Sequence, residues 1–68
     1  MQITVDGVQR EVAEDSTLAD AIARFSPYGD EPTVVRVNGV PRKSIDEPEA
    51  VVLHEGDVLD MYPLIIGG

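Results

Sequence analysis

The segment VLDMYPLIIGG, residues 58–68, is a mostly apolar run that ends in two glycines. Residues 58–65 have the length and composition of a strand with no polar residues at its end. Such a strand belongs in the middle of a sheet, where neighbours on both sides pair with its backbone. Gly67 and Gly68 carry no side chain and have the widest conformational freedom. We therefore predict a central last strand followed by a flexible tail over residues 66–68.

Length and composition predict a single domain over residues 1–68. The chain has no cysteine, which excludes a disulfide framework and any cysteine-based metal or redox site. It has one histidine, His54, and this argues against a zinc site. The fold must therefore be stabilised by burial of apolar side chains.

The chain is strongly acidic, with thirteen Asp and Glu against five Lys and Arg, a net charge of −8 and a pI near 4.2. This charge argues against nucleic acid and anionic membranes as partners. Two explanations stay open: solubility, as in a salty cytoplasm, or attraction toward a basic partner. The opening MQITVDG has no signal-peptide pattern, and no run approaches the roughly 20 apolar residues of a membrane span. We expect a cytoplasmic protein.

The first half of the chain predicts a hairpin and then a helix. Alternating apolar residues flank Asp6 and Gly7, a pair that tolerates the positive φ of a tight turn. Thr17 is followed three residues later by Asp20, a pattern similar to the capping box that begins a helix. The helix of about nine residues that follows carries one apolar face: Leu18, Ala21, Ile22 and Phe25.

The second half predicts further strands separated by turns. Residues 33–37 are a β-branched strand, and Asn38–Gly39 is a second tight turn. Residues 40–50 hold two prolines and mixed charges, which predicts a loop. Residues 50–53 predict a short strand, and a turn around Gly56 leads to the last strand. The fold class is therefore α+β, with a mixed sheet of about four to five strands packed on one main helix.

The same patterns predict which side chains form the core. They share the inward position of their strand or helix face: Ile3, Val5, Leu18, Ile22, Phe25, Val35, Val37, Leu53, Leu59 and Met61.

The element order and the Gly-Gly after the last strand resemble the β-grasp fold of ubiquitin-like proteins. More narrowly, VVRVNGVPRKS at 34–44 and LHEGDVLDMYPLIIGG at 53–68 resemble the second half of the ThiS family of sulfur carriers. STLADAI at 16–22 agrees with the start of that family's helix. The chain's length suits ThiS better than the longer MoaD-like proteins of molybdopterin biosynthesis.

This resemblance implies a reaction at the last residue. In the family, a ubiquitin-activating-type adenylyltransferase, ThiF- or MoeB-like, uses ATP to adenylate the terminal carboxylate. A sulfur donor protein then allows conversion to a thiocarboxylate, which thiazole synthase or another sulfur acceptor enzyme consumes, most often for thiamine. Carried over to this chain, Gly68 would be adenylated and Gly67 would precede it, while the chain itself would bind no cofactor and catalyse nothing.

The chemistry of glycine suits that role. A carboxylate becomes a good electrophile only when one oxygen is made a leaving group, so another protein must align it with the α-phosphate of ATP. Gly67 and Gly68 lack a Cβ and can pass through a narrow channel. The alternative explanation is a frayed end or a cloning scar.

Period-two alternation of the last strand sends Val58, Asp60 and Tyr62 to the outer face if Leu59 and Met61 point inward. These outward apolar side chains are either ordinary exposed residues or a docking patch for the activating enzyme. In the second interpretation the partner-binding residues are Val58, Tyr62, Leu64 and Ile66, flanked by Arg36 and Arg42.

Two other functions stay open on the sequence alone. The chain could be a ubiquitin-like modifier joined through Gly68 to lysines of target proteins, or a passive β-grasp binding module whose terminus does not react. An enzymatic function is disfavoured, because no nucleophile and base or paired catalytic carboxylates stand out among the surface acids.

Overall fold

The structure, a computed structural model, describes residues 1–29, 31–43 and 47–64. It contains five strands, one α-helix and one short 3₁₀ helix. In chain order these are β1 (Gln2–Val5), β2 (Val8–Glu11), α1 (Leu18–Phe25), β3 (Thr33–Val37), β4 (Val40–Lys43), the 3₁₀ helix Pro48–Ala50 and β5 (Val58–Pro63).

The strands form one mixed sheet in the order β2-β1-β5-β3-β4. β5 is central: it pairs parallel with β1, where Val5 lies opposite Leu59, and antiparallel with β3. The two outer pairs are antiparallel hairpins. The predicted α+β class and the central position of the last strand are therefore confirmed, with five strands in the sheet.

Both predicted tight turns are present. Asp6 and Gly7 have φ of 50° and 81°, and Asn38 and Gly39 have φ of 51° and 86°. These left-handed values are ones that Gly, Asn and Asp adopt more readily than other residues, which explains why these pairs end the strands.

The helix begins where its capping residues predict. Thr17 is the N-cap: its hydroxyl accepts from the backbone N–H of Asp20, and the Asp20 carboxylate accepts from the backbone N–H of Thr17 at 2.9 Å. This reciprocal pair satisfies two N–H groups that would otherwise lack a partner. The helix is eight residues long and ends at Phe25.

Two sequence predictions in the second half are wrong. Within the loop predicted over residues 40–50, Val40–Lys43 forms β4 and Pro48–Ala50 forms a 3₁₀ helix. Pro41 is tolerated in β4 because this strand lies at the sheet edge, where a missing N–H disrupts less of the hydrogen-bond ladder. The charged residues of this segment are also compatible with an edge strand, since all four residues of β4 are exposed.

The short strand predicted over residues 50–53 is also wrong. Only Val52 makes an isolated bridge, with Thr17. Two backbone hydrogen bonds hold the segment beside the start of α1: Leu18 N–H to the Val51 carbonyl at 2.8 Å and Leu53 N–H to the Ser16 carbonyl at 2.8 Å. The ladder stops there because its partner segment turns into a helix at Leu18.

The core lies between the sheet and α1. Seven of the ten predicted core residues are buried: Ile3, Val5, Leu18, Val35, Leu53, Leu59 and Met61. Ile22, Phe25 and Val37 are only partly buried, because a helix of two turns cannot cover five strands. Val12 and Ala21 are buried core residues absent from the predicted set.

Candidate functional site

β5 contains Val58 and Tyr62, two of the residues that the sequence predicts for partner binding. Leu59 and Met61 are 0% and 3% exposed, whereas Val58 and Tyr62 are 43% and 46% exposed. The alternation expected from a strand with one face on the core is therefore present, and the predicted outward orientation of Val58 and Tyr62 is confirmed.

The neighbouring strands extend this outer face. Val34 on β3 lies opposite Tyr62, and Arg36 lies opposite Asp60. Residues directly opposite each other share a face of the sheet, so Val34 joins the two apolar residues of β5. We call Val34, Val58 and Tyr62 the outer patch.

Of the two arginines expected to flank this surface, only Arg36 does so. Arg42 lies opposite Val35, a core residue, and therefore belongs to the helix-facing side of the sheet. The expectation for Arg42 is wrong because it assumed a loop, and β4 adds a strand whose alternation places Lys43 instead on the outer face, opposite Val34.

The start of β5 is fixed by the turn between β3 and β4. The side-chain amide of Asn38 donates to Asp57 Oδ1 at 2.9 Å, and its Oδ1 accepts from Val58 N–H at 2.9 Å. The backbone N–H of Asn38 donates to the Val58 carbonyl at 2.8 Å. Asp57, 9% exposed, also accepts from the backbone N–H of His54 at 2.8 Å. We call Asn38 and Asp57 the turn latch.

The far end of β5 is held after β1 has ended. Asp6, in the first hairpin turn, accepts from Met61 N–H at 2.9 Å through its carboxylate. The Tyr28 hydroxyl donates to the Met61 carbonyl at 3.5 Å. Two side chains thus replace the backbone partner that a longer β1 would supply.

Pairing with β3 continues past the end of β5, because Leu64 N–H donates to the Pro32 carbonyl at 2.9 Å. Leu64 is half-buried. Ile66, Gly67 and Gly68 lie outside the described residues, so the predictions for them and for a flexible tail stay predictions. The structure therefore describes the segment that leads to the proposed reacting terminus only as far as Leu64.

Histidine and clustered acidic residues were the other candidates for chemistry or metal binding. His54 is exposed beside the turn at Gly56. Among residues 1–29, 31–43 and 47–64, no three His, Cys, Asp or Glu side chains are grouped so as to hold a metal ion. Within the same ranges, no helix has the length and apolar character needed to cross a membrane.

Comparison with known proteins rests on structure, since no protein-family model matches the chain and no curated protein matches its sequence significantly. The structure is similar to the crystal structure of the thiamine biosynthesis protein ThiS from Geobacter metallireducens, with a TM-score of 0.79. The match covers 100% of both chains at 23% sequence identity. The chain has the ubiquitin-like β-grasp fold. The expected ThiS-like β-grasp architecture is thus confirmed as a fold.

Within this β-grasp sheet, the sequence left several contributors to the site unidentified. Val34 belongs to the outer patch, and alternation within residues 33–37 together with the register of β5 would have identified it. Asn38 and Asp57 were recognised only as turn residues, because their contact joins positions that are far apart in the sequence.

Proposed function

We propose that the protein is a sulfur carrier whose Gly68 carboxylate is adenylated and converted to a thiocarboxylate that donates sulfur in biosynthesis, with thiamine thiazole as the leading product. The observation that carries the proposal is the Gly67–Gly68 sequence that follows the central strand of a β-grasp domain. Full-length similarity to a protein described as a thiamine biosynthesis protein supports this pathway.

The bonding of β5 suits a domain that presents its end to another protein. Asn38 bonds to the start of the strand, and Asp6 bonds to Met61 near its end. Leu64, directly after the strand, bonds to the Pro32 carbonyl. A firmly held strand gives the chain that follows it a defined starting point. A defined starting point reduces the freedom lost when a partner aligns the carboxylate with the α-phosphate of ATP.

In this proposal the chain is a co-substrate and carrier, and the activating partner supplies catalysis and ATP. A carboxylate oxygen attacks the α-phosphorus of ATP and pyrophosphate leaves. Sulfide-level sulfur delivered by a sulfur donor protein then attacks the acyl carbon, and AMP leaves as the carbon–sulfur bond of the thiocarboxylate forms. The adenylyltransferase would be ThiF- or MoeB-like, and thiazole synthase or another acceptor enzyme would take the sulfur. All of these steps would take place in the cytoplasm.

The outer patch is the docking surface we propose for the adenylyltransferase, continued by Leu64 and Ile66. Val58 and Tyr62 are exposed without serving the core, and Arg36 and Lys43 border them. Apolar side chains rimmed by charged ones are typical of protein interfaces.

The adenylation step is tested by ATP–pyrophosphate exchange with the ubiquitin-activating-type enzyme of the same organism. Three chains are compared: the full chain, a Gly68 deletion and a chain extended by one alanine. We expect exchange only with the full chain, because deletion withdraws the carboxylate by about 3.5 Å, and small displacements of reacting atoms are costly. Circular dichroism controls for folding. Equal exchange by all three chains would exclude Gly68 as the reacting residue.

A second measurement separates a carrier from a protein modifier. Intact-mass analysis of the untagged protein from its own host should show the mass increase caused by replacing one carboxylate oxygen with sulfur. Conjugates with target lysines, found in the lysate at higher mass, would instead indicate a modifier. An unmodified Gly68 carboxylate in every fraction would support a passive binding module.

A further inference from the structure

Phe25, the last residue of α1, is in contact with two arginines. The guanidinium carbon of Arg24 is 4.8 Å from the centre of the Phe25 ring, and that of Arg10 on β2 is 5.3 Å away. Both distances are typical of cation–π contacts. We call Arg10, Arg24 and Phe25 the arginine pair site.

Within the part of the chain that the structure describes, neither arginine forms an ion pair, although the sequence has thirteen acidic residues. The only ion pair among residues 1–29, 31–43 and 47–64 joins the Met1 ammonium group to Glu11. Glu11, which follows Arg10 in the chain, is therefore paired with Met1. Alternation along β2 places the Glu11 side chain on the face of the sheet opposite to that of Arg10. Asp20, one helical turn before Arg24, instead accepts from the backbone N–H of Thr17.

The ring contact leaves the donors of both guanidinium groups accessible. Arg10 and Arg24 are exposed, while Phe25 is partly buried against the core. A guanidinium that lies over an aromatic ring still presents N–H groups along its planar edge, where a carboxylate can bind in bidentate fashion. The half-buried ring thus restricts two otherwise flexible side chains, and both of them remain exposed to solvent.

We propose that the arginine pair site binds an acidic segment of a partner protein. The site presents two guanidinium groups on one aromatic ring, and a short carboxylate-bearing segment matches them in charge and hydrogen bonding, whereas the net charge of −8 disfavours extended polyanions. Arg10 lies opposite the buried Ile3 and so faces the helix side of the sheet, away from the outer patch. The site is therefore separate from the docking surface proposed for the activating enzyme, and it does not rest on the proposed function.

The test is a titration of the ¹⁵N-labelled chain with a short synthetic peptide of alternating Glu and Gly, followed by NMR. We expect saturable shifts of the Arg10 and Arg24 side-chain Nε–H signals at low ionic strength, which weaken as salt is added. The matched peptide with Gln in place of Glu should cause none. Equal shifts at all arginines, or no binding of the Glu peptide, would overturn the proposal.

Variants locate the binding to this pair. Arg24→Gln and Arg10→Gln should each weaken affinity for the Glu peptide by roughly two- to fivefold, the value of an exposed ion pair. Arg42→Gln is the control, since it removes an exposed arginine at the opposite edge of the sheet. Unchanged affinity in Arg10→Gln and Arg24→Gln, or an equal loss in Arg42→Gln, would overturn the assignment.

Discussion

Two residues of the hairpin turns, Asp6 and Asn38, each have a second role beyond reversing the chain. Their positive φ satisfies the turn, and their side chains bond to the backbone of β5, at Met61 and at Val58. Glycine at either position would keep the turn conformation and lose the bond to β5. These two single residues therefore connect local turn chemistry to the position of the central strand.

Replacement of Asn38 by glycine tests the turn latch. Asn38→Gly keeps the left-handed turn but leaves Asp57 and Val58 N–H without this partner, so the free energy of unfolding should fall by about 1–2 kcal/mol. The measurement is urea unfolding at equilibrium. The control is Asp15→Gly at another exposed residue with positive φ, 68°, where we expect a change within about 0.5 kcal/mol. Equal losses in both variants would contradict a stabilising latch.

Leu59 is the test of the core at the residue scale. It is 0% exposed at the centre of β5, so Leu59→Ala should lower the free energy of unfolding by about 2–5 kcal/mol through lost burial and the cavity left behind. Thermal and denaturant unfolding measure this loss. Val58→Ala, one residue earlier and on the outer face, should change stability by only about 0.5 kcal/mol. A Leu59→Ala protein that melts like the parent would disprove the inward assignment.

At the scale of the element, β5 combines two functions on opposite faces. Its inner face packs on α1 through Leu59 and Met61, while its outer face presents Val58 and Tyr62. Because alternation assigns the faces, a slip of one residue in register would exchange them. The turn latch and the Asp6–Met61 bond oppose such a slip, since both fix specific atoms of the strand.

The outer face of β5 can therefore be changed without loss of the fold. The double variant Val58→Ser/Tyr62→Ser should keep stability close to that of the parent and weaken activation by the adenylyltransferase, seen as a higher KM in pyrophosphate exchange. The matched control is Val8→Ser/Val40→Ser, since these valines are 51% and 54% exposed on the two edge strands.

Two results would contradict the interface. If the double variant of β5 unfolds, the two faces were assigned the wrong way round. If both double variants raise KM equally, the outer patch has no special part in docking.

At the scale of the whole molecule, charge repulsion opposes folding. The chain carries thirteen acidic side chains against five basic ones, and the described residues include one ion pair, between the Met1 ammonium group and Glu11. Added salt therefore has little attraction to screen and much repulsion.

We expect sodium chloride to stabilise the fold. Relief of about 1 kcal/mol of repulsion would raise the Tm of a domain of this size by roughly 4–8 °C. Thermal unfolding followed by circular dichroism across a chloride series measures the effect. Chloride is preferred to sulfate, because sulfate also stabilises proteins through exclusion from their surface. A Tm that falls with chloride would show that attractive ion pairs dominate.

Sequence patterns predicted the parts of this protein that depend on neighbouring residues. Asp6–Gly7 and Asn38–Gly39 predicted the turns, Thr17 and Asp20 predicted the start of α1, and alternation in β5 predicted both of its faces. Each is a short-range effect, set by allowed φ values, by a capping bond across three residues, or by the two-residue period of a strand.

The tertiary structure alone decided what depends on distant partners. Residues 40–43 form a strand and residues 50–53 do not, because β3 offers the first a full edge while the start of α1 offers the second only one bridge. The contact between Asn38 and Asp57 and the contact between Arg10 and Phe25 likewise join separate elements. Pairing and packing across the sheet bring these groups together, and no local pattern encodes which distant segment will be the partner.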